Sequence, residues 1–317
     1  MKILITGAAG FIGNNTVRRL AETGKPVRAM VRNVEKAKKR LADVADKIEI
    51  VQGDVTKRES LINTMEDVTT VIHLVAIALE KGRQTYEEVN YQGTVNIVDA
   101  ANEAGVNRFL YMSQNGADSS MPYRFLKTKG RAQDYVEQHA GNWTAFRPSA
   151  VFGPQDEFFN SIARLVKLTP VVYPLIGGGT AEFQPVSVND VAEAVVRSLD
   201  DDTTIGKKLD LGGPDVLTLG EIERRILRAL DSRRILFPAP VWMLRAPVFM
   251  MERLLPGSPV STSLLDLLAV PNIIKDNALV DHFNMKPVPF DGEHIAYLTG
   301  NTVDVAVKSI FKGETPG

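Results

Sequence analysis

The sequence predicts an α/β protein, a doubly wound parallel sheet with helices on both faces and a smaller α+β lobe at the C-terminal end. Three observations predict it. Short apolar runs with strand character alternate with helical patterns through the first half of the chain. The first run, Ile3-Leu4-Ile5, opens directly into Gly7-Ala8-Ala9-Gly10-Phe11-Ile12-Gly13, a strand, a glycine turn and a helix start. After Pro154 the alternation loosens, so a second, less regular lobe follows.

Each element has a local reason. Gly7 permits the sharp turn out of the first strand. Gly10 lets the backbone approach a pyrophosphate, and Gly13 lets the next helix pack close. That helix should cover residues 11 to about 23, with Phe11, Ile12, Val17, Leu20 and Ala21 on its inner stripe. Its first amides and positive dipole end face an anion. Gly24 stops it, and Pro26 opens the strand Val27-Arg28-Ala29-Met30-Val31. Asn33 is placed to cap a short helix. Ile48-Glu49-Ile50-Val51 is a strand ending at Gly53-Asp54-Val55, and a helix is expected over about residues 60–66. A strand over 70–75, a long helix over about 85–104, a strand over 108–112, a helix over about 123–139 and a strand over 143–146 follow. Parallel strands place a ligand at their carboxyl ends. The segments there are Gly7 to Gly13, Asp54-Val55, Leu74 to Ala78, Ser113 and Arg147-Pro148-Ser149. The fold is therefore of Rossmann type, with a dinucleotide domain over residues 1–154.

The second lobe, residues 155–317, is expected to return some elements to the first. A helix near 157–168 leads to Pro170-Val171-Val172-Tyr173-Pro174 and to Gly177-Gly178-Gly179. Another covers about 190–199. Thr218-Leu219-Gly220-Glu221 is a capping box opening a helix to about residue 230. Residues 238–255 are rich in proline and methionine and include Trp242, Phe249 and Met250. Plain packing is expected there, ahead of a substrate-cleft lining or a membrane contact. The tail from Gly313 should fray.

Composition excludes several function classes. With 37 Lys and Arg against 38 Asp and Glu there is no basic stripe, so no nucleic-acid partner is expected. The absence of cysteine removes disulfides, thiolate zinc sites and a cysteine nucleophile. The four histidines, His73, His139, His282 and His294, lack ligand spacing, so each reads as structural or surface and no metal is expected. One lysine and then a core strand leave no visible signal peptide, and no apolar run reaches about eighteen residues, so no span is expected. A cytoplasmic protein, peripheral at the membrane at most, is the expectation.

The acid that selects NAD usually lies about twenty residues past the glycines. Arg32 stands there, with Lys36 one turn later. A guanidinium pairs with a 2′-phosphate that a carboxylate would repel. NADP(H) is expected in preference to NAD(H). Asp54, at a strand's carboxyl end, is expected on the adenine amino group.

Several segments together resemble the short-chain dehydrogenase/reductase family in its extended or atypical branch. They are Thr6 to Gly13, Gly53-Asp54-Val55, Asn90-Tyr91-Gln92-Gly93-Thr94-Val95-Asn96, Ser113 and Phe146-Arg147-Pro148-Ser149. Within that branch the chain looks most like the group of the dehydrogenase-like accessory subunit of respiratory complex I. The marks are Thr128-Lys129-Gly130, Val151-Phe152-Gly153-Pro154, Phe183-Gln184-Pro185-Val186, Asp190-Val191-Ala192 and Leu211-Gly212-Gly213-Pro214. The resemblance implies that Gly7, Ala9, Gly10, Phe11, Ile12, Gly13, Arg32, Asp54, Val55, Leu74, Val75, Ala76, Asn90, Pro148 and Ser149 line the cofactor. It also implies a Ser, Tyr and Lys set for reductases: the serine orients the substrate oxygen, the tyrosine moves the proton, and the lysine holds the ribose and lowers the tyrosine's pKa.

Two registers supply that set. Tyr123 and Lys127 are four apart, ten residues past Ser113, which would put both on one helix face. The motif Thr128-Lys129-Gly130 instead makes Lys129 the family lysine, with Phe125 four before it and no hydroxyl. The two lysines lie about 200° apart on a helix, so only one faces the cofactor. The Tyr123/Lys127 register completes the chemistry and is taken first. Three functions remain open: a NADP(H)-holding accessory or regulatory protein beside a respiratory complex or quinone system; a reductase or epimerase of a small carbonyl, sugar-like or isoprenoid-like substrate; and a non-catalytic sensor of the NADP(H) redox ratio. Substrate and oligomeric state are not legible.

Overall fold

The computed structural model describes residues 2–80, 82, 84–255, 262–268 and 270–312. The tail from Gly313, expected to fray, lies outside the described residues. Strands β1 (Lys2–Thr6), β2 (Val27–Val31), β3 (Ile48–Gln52), β4 (Val68–His73), β5 (Arg108–Met112) and β6 (Trp143–Pro148) form one seven-stranded sheet with a returning strand, Lys207–Leu211. The order is Lys207–Leu211, β6, β5, β4, β1, β2, β3, and every pairing is parallel. The chain starts mid-sheet, winds out to β3, then crosses back to β4 and winds the other way. That reversal opens a crevice at the carboxyl ends of β1 and β4. Residues of β2 and β5 are buried throughout, as a sheet covered on both faces requires.

The first-half helices are α1 (Phe11–Ala21), α2 (Val34–Arg40), α3 (Gly93–Glu103) and α4 (Arg124–His139). Asn33 caps α2, its side chain accepting from the Lys36 amide at 2.8 Å. The buried face of α1 is Gly13, Asn14, Thr16, Val17, Leu20 and Ala21, while Phe11 and Ile12 are only half-buried. The expected stripe is thus corrected at its start, because the first turn lies over the glycine loop. Asn14 and Thr16 are tolerated inside because they bond their own helix: Asn14 Nδ2 donates to Gly10 O at 2.6 Å and Thr16 Oγ1 to Ile12 O at 2.9 Å.

Two expected helices differ. Residues 58–65 form two short 3₁₀ turns, Arg58–Ser60 and Ile62–Met65. The Ser60 hydroxyl donates to Lys57 O at 2.7 Å, competing with a helical ladder. The long helix over 85–104 begins as a wide π turn, Glu87–Gln92, before α3. Gly93 sits at the junction, where a Cβ would lie 2.8 Å from Val55 Cγ2.

Downstream come α5 (Phe158–Leu168), α6 (Val188–Arg197), α7 (Leu219–Ala229) and α8 (Val241–Leu254). The chain divides into two compact units. The first is Met1–Pro148 with Val188–Leu211 and Asp276–Met285; the second is Ser149–Ser187, Gly212–Lys275 and Lys286–Gly317. The division falls at Pro148 where the sequence reading put it at 154, and α6 and the strand Lys207–Leu211 belong to the first unit. The second unit has its own core of Phe152, Phe159, Tyr173, Ile222, Ile226 and Phe290. Its α7 opens on the capping box, with Glu221 Oε2 accepting from the Thr218 amide at 2.7 Å and Thr218 Oγ1 from the Glu221 amide at 3.2 Å. The Pro170 to Pro174 run becomes the strand Val172–Ile176, paired in parallel with Ile235–Ala239. Residues 238–255 correct the packing expectation: in α8 only Val248 is buried. No helix among the described residues is long and apolar enough to cross a membrane.

Gly13 is a position where the first unit has no room for a side chain. A Cβ there would lie 2.0 Å from the Gly7 carbonyl oxygen, a backbone atom that cannot yield without moving the turn. Gly13→Ala should cost about 3 kcal/mol. In urea unfolding this appears as a lower midpoint with an unchanged m-value; an unchanged midpoint would show that α1 can shift freely.

Candidate dinucleotide site

The turn after β1 is built to bring bare backbone to a ligand. Gly7 takes φ +70°, the left-handed region that favours glycine. The Gly10 amide donates to Gly7 O at 2.8 Å and closes the turn over Ala8 and the half-buried Ala9. Gly10 is exposed and caps α1 without any side chain, and the first turn, which includes Phe11 and Ile12, carries no acid. The positive end of α1 is therefore open to an anion.

A chain of buried hydrogen bonds holds the neighbouring loop in place. Thr6 Oγ1 lies 2.7 Å from His73 Nδ1, and His73 Nε2 lies 3.1 Å from Thr94 Oγ1. Thr94 gives its own hydrogen to Asn90 O at 2.8 Å. So Nε2 carries the ring proton, and Nδ1 accepts from Thr6. The ring is neutral: burial, helped by the Lys129 charge, pushes the His73 pKa down to about 3. Thr6 Oγ1 also accepts from the Leu74 amide at 3.3 Å. Asn90 clamps the same loop further on, accepting from the Ile77 amide at 2.8 Å and donating to Ile77 O at 3.2 Å. Its side chain is thus engaged on protein backbone, and it acts on the site through the loop. That loop carries the half-buried Leu74 and Val75 and the exposed Ala76; a Cβ on Gly7 would meet Leu74 C at 3.2 Å.

At the end of β2, Arg32 is exposed, and its guanidinium has no hydrogen bond or ion pair among the described residues. Beyond β3, Asp54 is half-buried with Oδ1 fixed by the Thr56 amide at 3.0 Å and the Thr56 hydroxyl at 2.9 Å. Val55 is buried, its carbonyl accepting from Asn96 Nδ2 at 2.8 Å.

The other end of the site lies past β5. Ser113 donates its amide to Phe146 O at 2.8 Å, and its buried Oγ has no hydrogen-bond partner among the described residues. Lys129 is 2% exposed; Nζ donates to Met112 O at 2.5 Å and stands 4.7 Å over the Tyr111 ring. Burial pushes its pKa down to about 7. Gly130 explains its place in the motif: a Cβ would lie 2.2 Å from the Asp118 carbonyl carbon, so α4 meets that loop at backbone distance.

The two registers separate in space. Lys127 is exposed. Tyr123 is half-buried and precedes α4 as its cap residue, with extended backbone at φ −84° and ψ 119°. Tyr123 lies outside the helix, so helical spacing does not set it on one face with Lys127. Phe125, four before Lys129, is buried and packs edge-on against Tyr86, ring centroids 5.5 Å apart. The structure brings Lys129, Met112 and Ser113 together at the end of β5 and leaves Lys127 outside that group.

The remaining expected residues are tied up. Pro148 O accepts from the Asn115 amide at 3.0 Å. Ser149 Oγ, in the second unit, donates to Asn272 O at 2.7 Å. Arg147 forms a two-pronged pair with Asp210 at 2.5 and 2.8 Å, between partners in register on adjacent strands. The Thr6–His73–Thr94 relay was not read from the sequence. Its signal was two polar residues, Thr6 and His73, ending adjacent apolar strands. Open helix amides, an unpaired Arg32, an orphaned Ser113 hydroxyl and a buried lysine without a carboxylate together fit a dinucleotide.

A family model described as NAD(P)H-binding matches residues 7–202. The mitochondrial NADH dehydrogenase [ubiquinone] 1 alpha subcomplex subunit 9 of Arabidopsis thaliana is 32% identical, over 87% of this chain and 71% of that protein. The 3 beta-hydroxysteroid dehydrogenase/Delta 5-->4-isomerase of Mycobacterium tuberculosis is 28% identical, over 87% of this chain and 82% of its own. Among solved structures, a nucleoside-diphosphate-sugar epimerase from Staphylococcus aureus superposes with a TM-score of 0.73 at 18% identity, covering 94% of this chain and 100% of that one.

The buried lysine makes stability depend on pH. In the unfolded chain it titrates at 10.5, in the folded protein at about 7. Between these values the unfolded state holds more protons, so the cofactor-free protein gains stability as pH rises, and the penalty of the buried charge is full below about 7. Lys129→Met should remove this slope and raise the melting temperature at neutral pH and below. Comparison with the unaltered protein isolates the effect from Glu223, which burial pushes up to about 8. An identical pH profile in both proteins would mean that the ammonium reaches water.

Proposed function

The chain belongs to the NAD(P)H-binding family, in its atypical short-chain dehydrogenase/reductase branch, and from that premise we propose that it holds NADP(H) as an accessory or regulatory protein and does not reduce a substrate. The observation that carries the reading is the buried Lys129 at the carboxyl end of β5, with Phe125 where a proton-donating phenol would stand and Lys127 in solvent. Bound nicotinamide supplies hydride chemistry. What this chain supplies is binding: α1 amides for the pyrophosphate, Arg32 for a 2′-phosphate, Asp54 for the adenine amino group and Lys129 for the nicotinamide ribose. In the reductase set the lysine serves by tuning a tyrosine, and Phe125 supplies no hydroxyl four residues before Lys129.

The relation to the Arabidopsis complex I subunit supports a place beside a respiratory complex, where a tightly held nucleotide would fix the fold of a docking subunit. A second reading, a NADPH-dependent reductase or epimerase, is supported by the Ser113 hydroxyl, buried and without a hydrogen-bond partner among the described residues, which would orient a substrate oxygen. It would use Tyr123 from outside the helix.

NADPH should bind more tightly than NADH by about 1.5–3 kcal/mol, one charge-assisted pair. Arg32→Asp should reverse the order; equal affinities in the unaltered protein, by calorimetry, would sink the assignment.

The two readings divide on the lysines. In the holding protein, Lys129→Ala weakens cofactor binding, Lys127→Ala leaves it unchanged, and substrate screens give no turnover. In the reductase, turnover is found, and Tyr123→Phe lowers it about 10²–10⁴-fold with affinity kept.

A further inference from the structure

The second unit leaves one face that its own folding does not use. Helix α8 carries apolar residues on both its packed and its exposed sides, with Arg245, Glu252 and Arg253 as its charged residues. Val241, Leu244 and Val248 pack on the unit's core. The other sides hold Trp242, Met243, Phe249, Met250 and Leu254 in solvent, with Trp242 76% and Leu254 69% exposed. Large apolar side chains held in solvent on one helix mark a surface that binds a partner or a lipid boundary. The strand that leads into α8 adds exposed apolar residues: Ile235 and Phe237 are exposed, and Ile235 pairs in register with exposed Val172, next to exposed Val171. These nine side chains come from two short stretches, so the apolar surface is concentrated rather than scattered.

The charge around this face is mostly positive. From Arg233 to Leu254 the chain carries Arg233, Arg234, Arg245 and Arg253 against the lone acid Glu252, in a protein whose net charge is −1. The Arg253 guanidinium stands 5.9 Å over the Phe249 ring, and Arg245 pairs with Asp266 at 2.5 Å. An indole, a phenyl ring and methionines bounded by arginines match an anionic lipid surface, with apolar groups entering the acyl boundary and guanidinium groups at the headgroups. A second copy fits less well, because a two-fold contact would set these arginines against each other.

We infer that α8 and the exposed edge of the Val172–Ile176 and Ile235–Ala239 strand pair dock this protein onto an anionic bilayer surface. The face lies wholly within the second unit, so nucleotide binding in the first reports separately. The test is flotation of the full chain with phosphatidylcholine vesicles, with and without phosphatidylglycerol. The expected result is binding that needs the anionic lipid and weakens with added salt. Arg245→Gln with Arg253→Gln should lower it about 25-fold, since each surface arginine contributes roughly fivefold. Phe249→Ser with Met250→Ser should abolish it while the thermal transition and nucleotide affinity persist. In a Trp143→Phe background Trp242 is the sole indole, and its emission should shift to the blue on vesicles. No flotation at low salt by folded protein overturns the proposal. So does concentration-dependent dimerisation in the absence of lipid that Phe249→Ser with Met250→Ser abolishes.

Discussion

The approach of α1 to the turn that leaves β1 is the constraint on which the site depends. The Gly7 carbonyl accepts from the Gly10 amide at 2.8 Å, and the same oxygen lies where a side chain at position 13 would begin. No other residue type satisfies both conditions. The turn must be left-handed at Gly7, the helix must start on bare backbone at Gly10, and its first turn must lie on the loop at Gly13. The result is a positive helix end with no side chain over it, at the point where the sheet reverses direction.

Around that turn, polar groups are buried to set loops. Thr6, His73 and Thr94 bridge two strand ends and a helix, and Asn90 grips the Ile77 peptide from both sides. Such groups cost free energy to bury, and each is matched by hydrogen bonds. Lys129 differs. A backbone carbonyl and the face of Tyr111 offset only part of the cost of a buried ammonium, which its depressed pKa reflects. A partly offset ammonium at Lys129 and an orphaned hydroxyl at Ser113 thus stand together at the end of β5, at the expense of the free protein's stability.

The second unit is held by its own aromatic core, where Phe159 packs on Phe290 with centroids 4.5 Å apart. Asp156 ties this core to a later segment, accepting from the Tyr297 hydroxyl at 2.6 Å, and burial pushes its carboxyl up to about 6. Val241, Leu244 and Val248 pack one side of α8 on this core, and the other side keeps Trp242, Phe249 and Met250 exposed.

The sequence by itself determined the doubly wound sheet, the glycine turn, the caps at Asn33 and Thr218, and the open basic position at Arg32. These are local: strand period, left-handed turns and capping depend on neighbours within a few residues. The π turn at Glu87–Gln92 was not legible, because the junction that follows it at Gly93 packs against Val55, far away in the chain, with no room for a side chain. The tertiary structure alone separated Lys127 from Lys129, since spacing gives two candidate registers and only packing tells which side of α4 meets β5. It also turned the apolar stretch at α8 outward. Composition records how apolar a segment is, whereas burial depends on whether the rest of the unit supplies enough partner surface, and here Trp242, Phe249 and Met250 stay exposed.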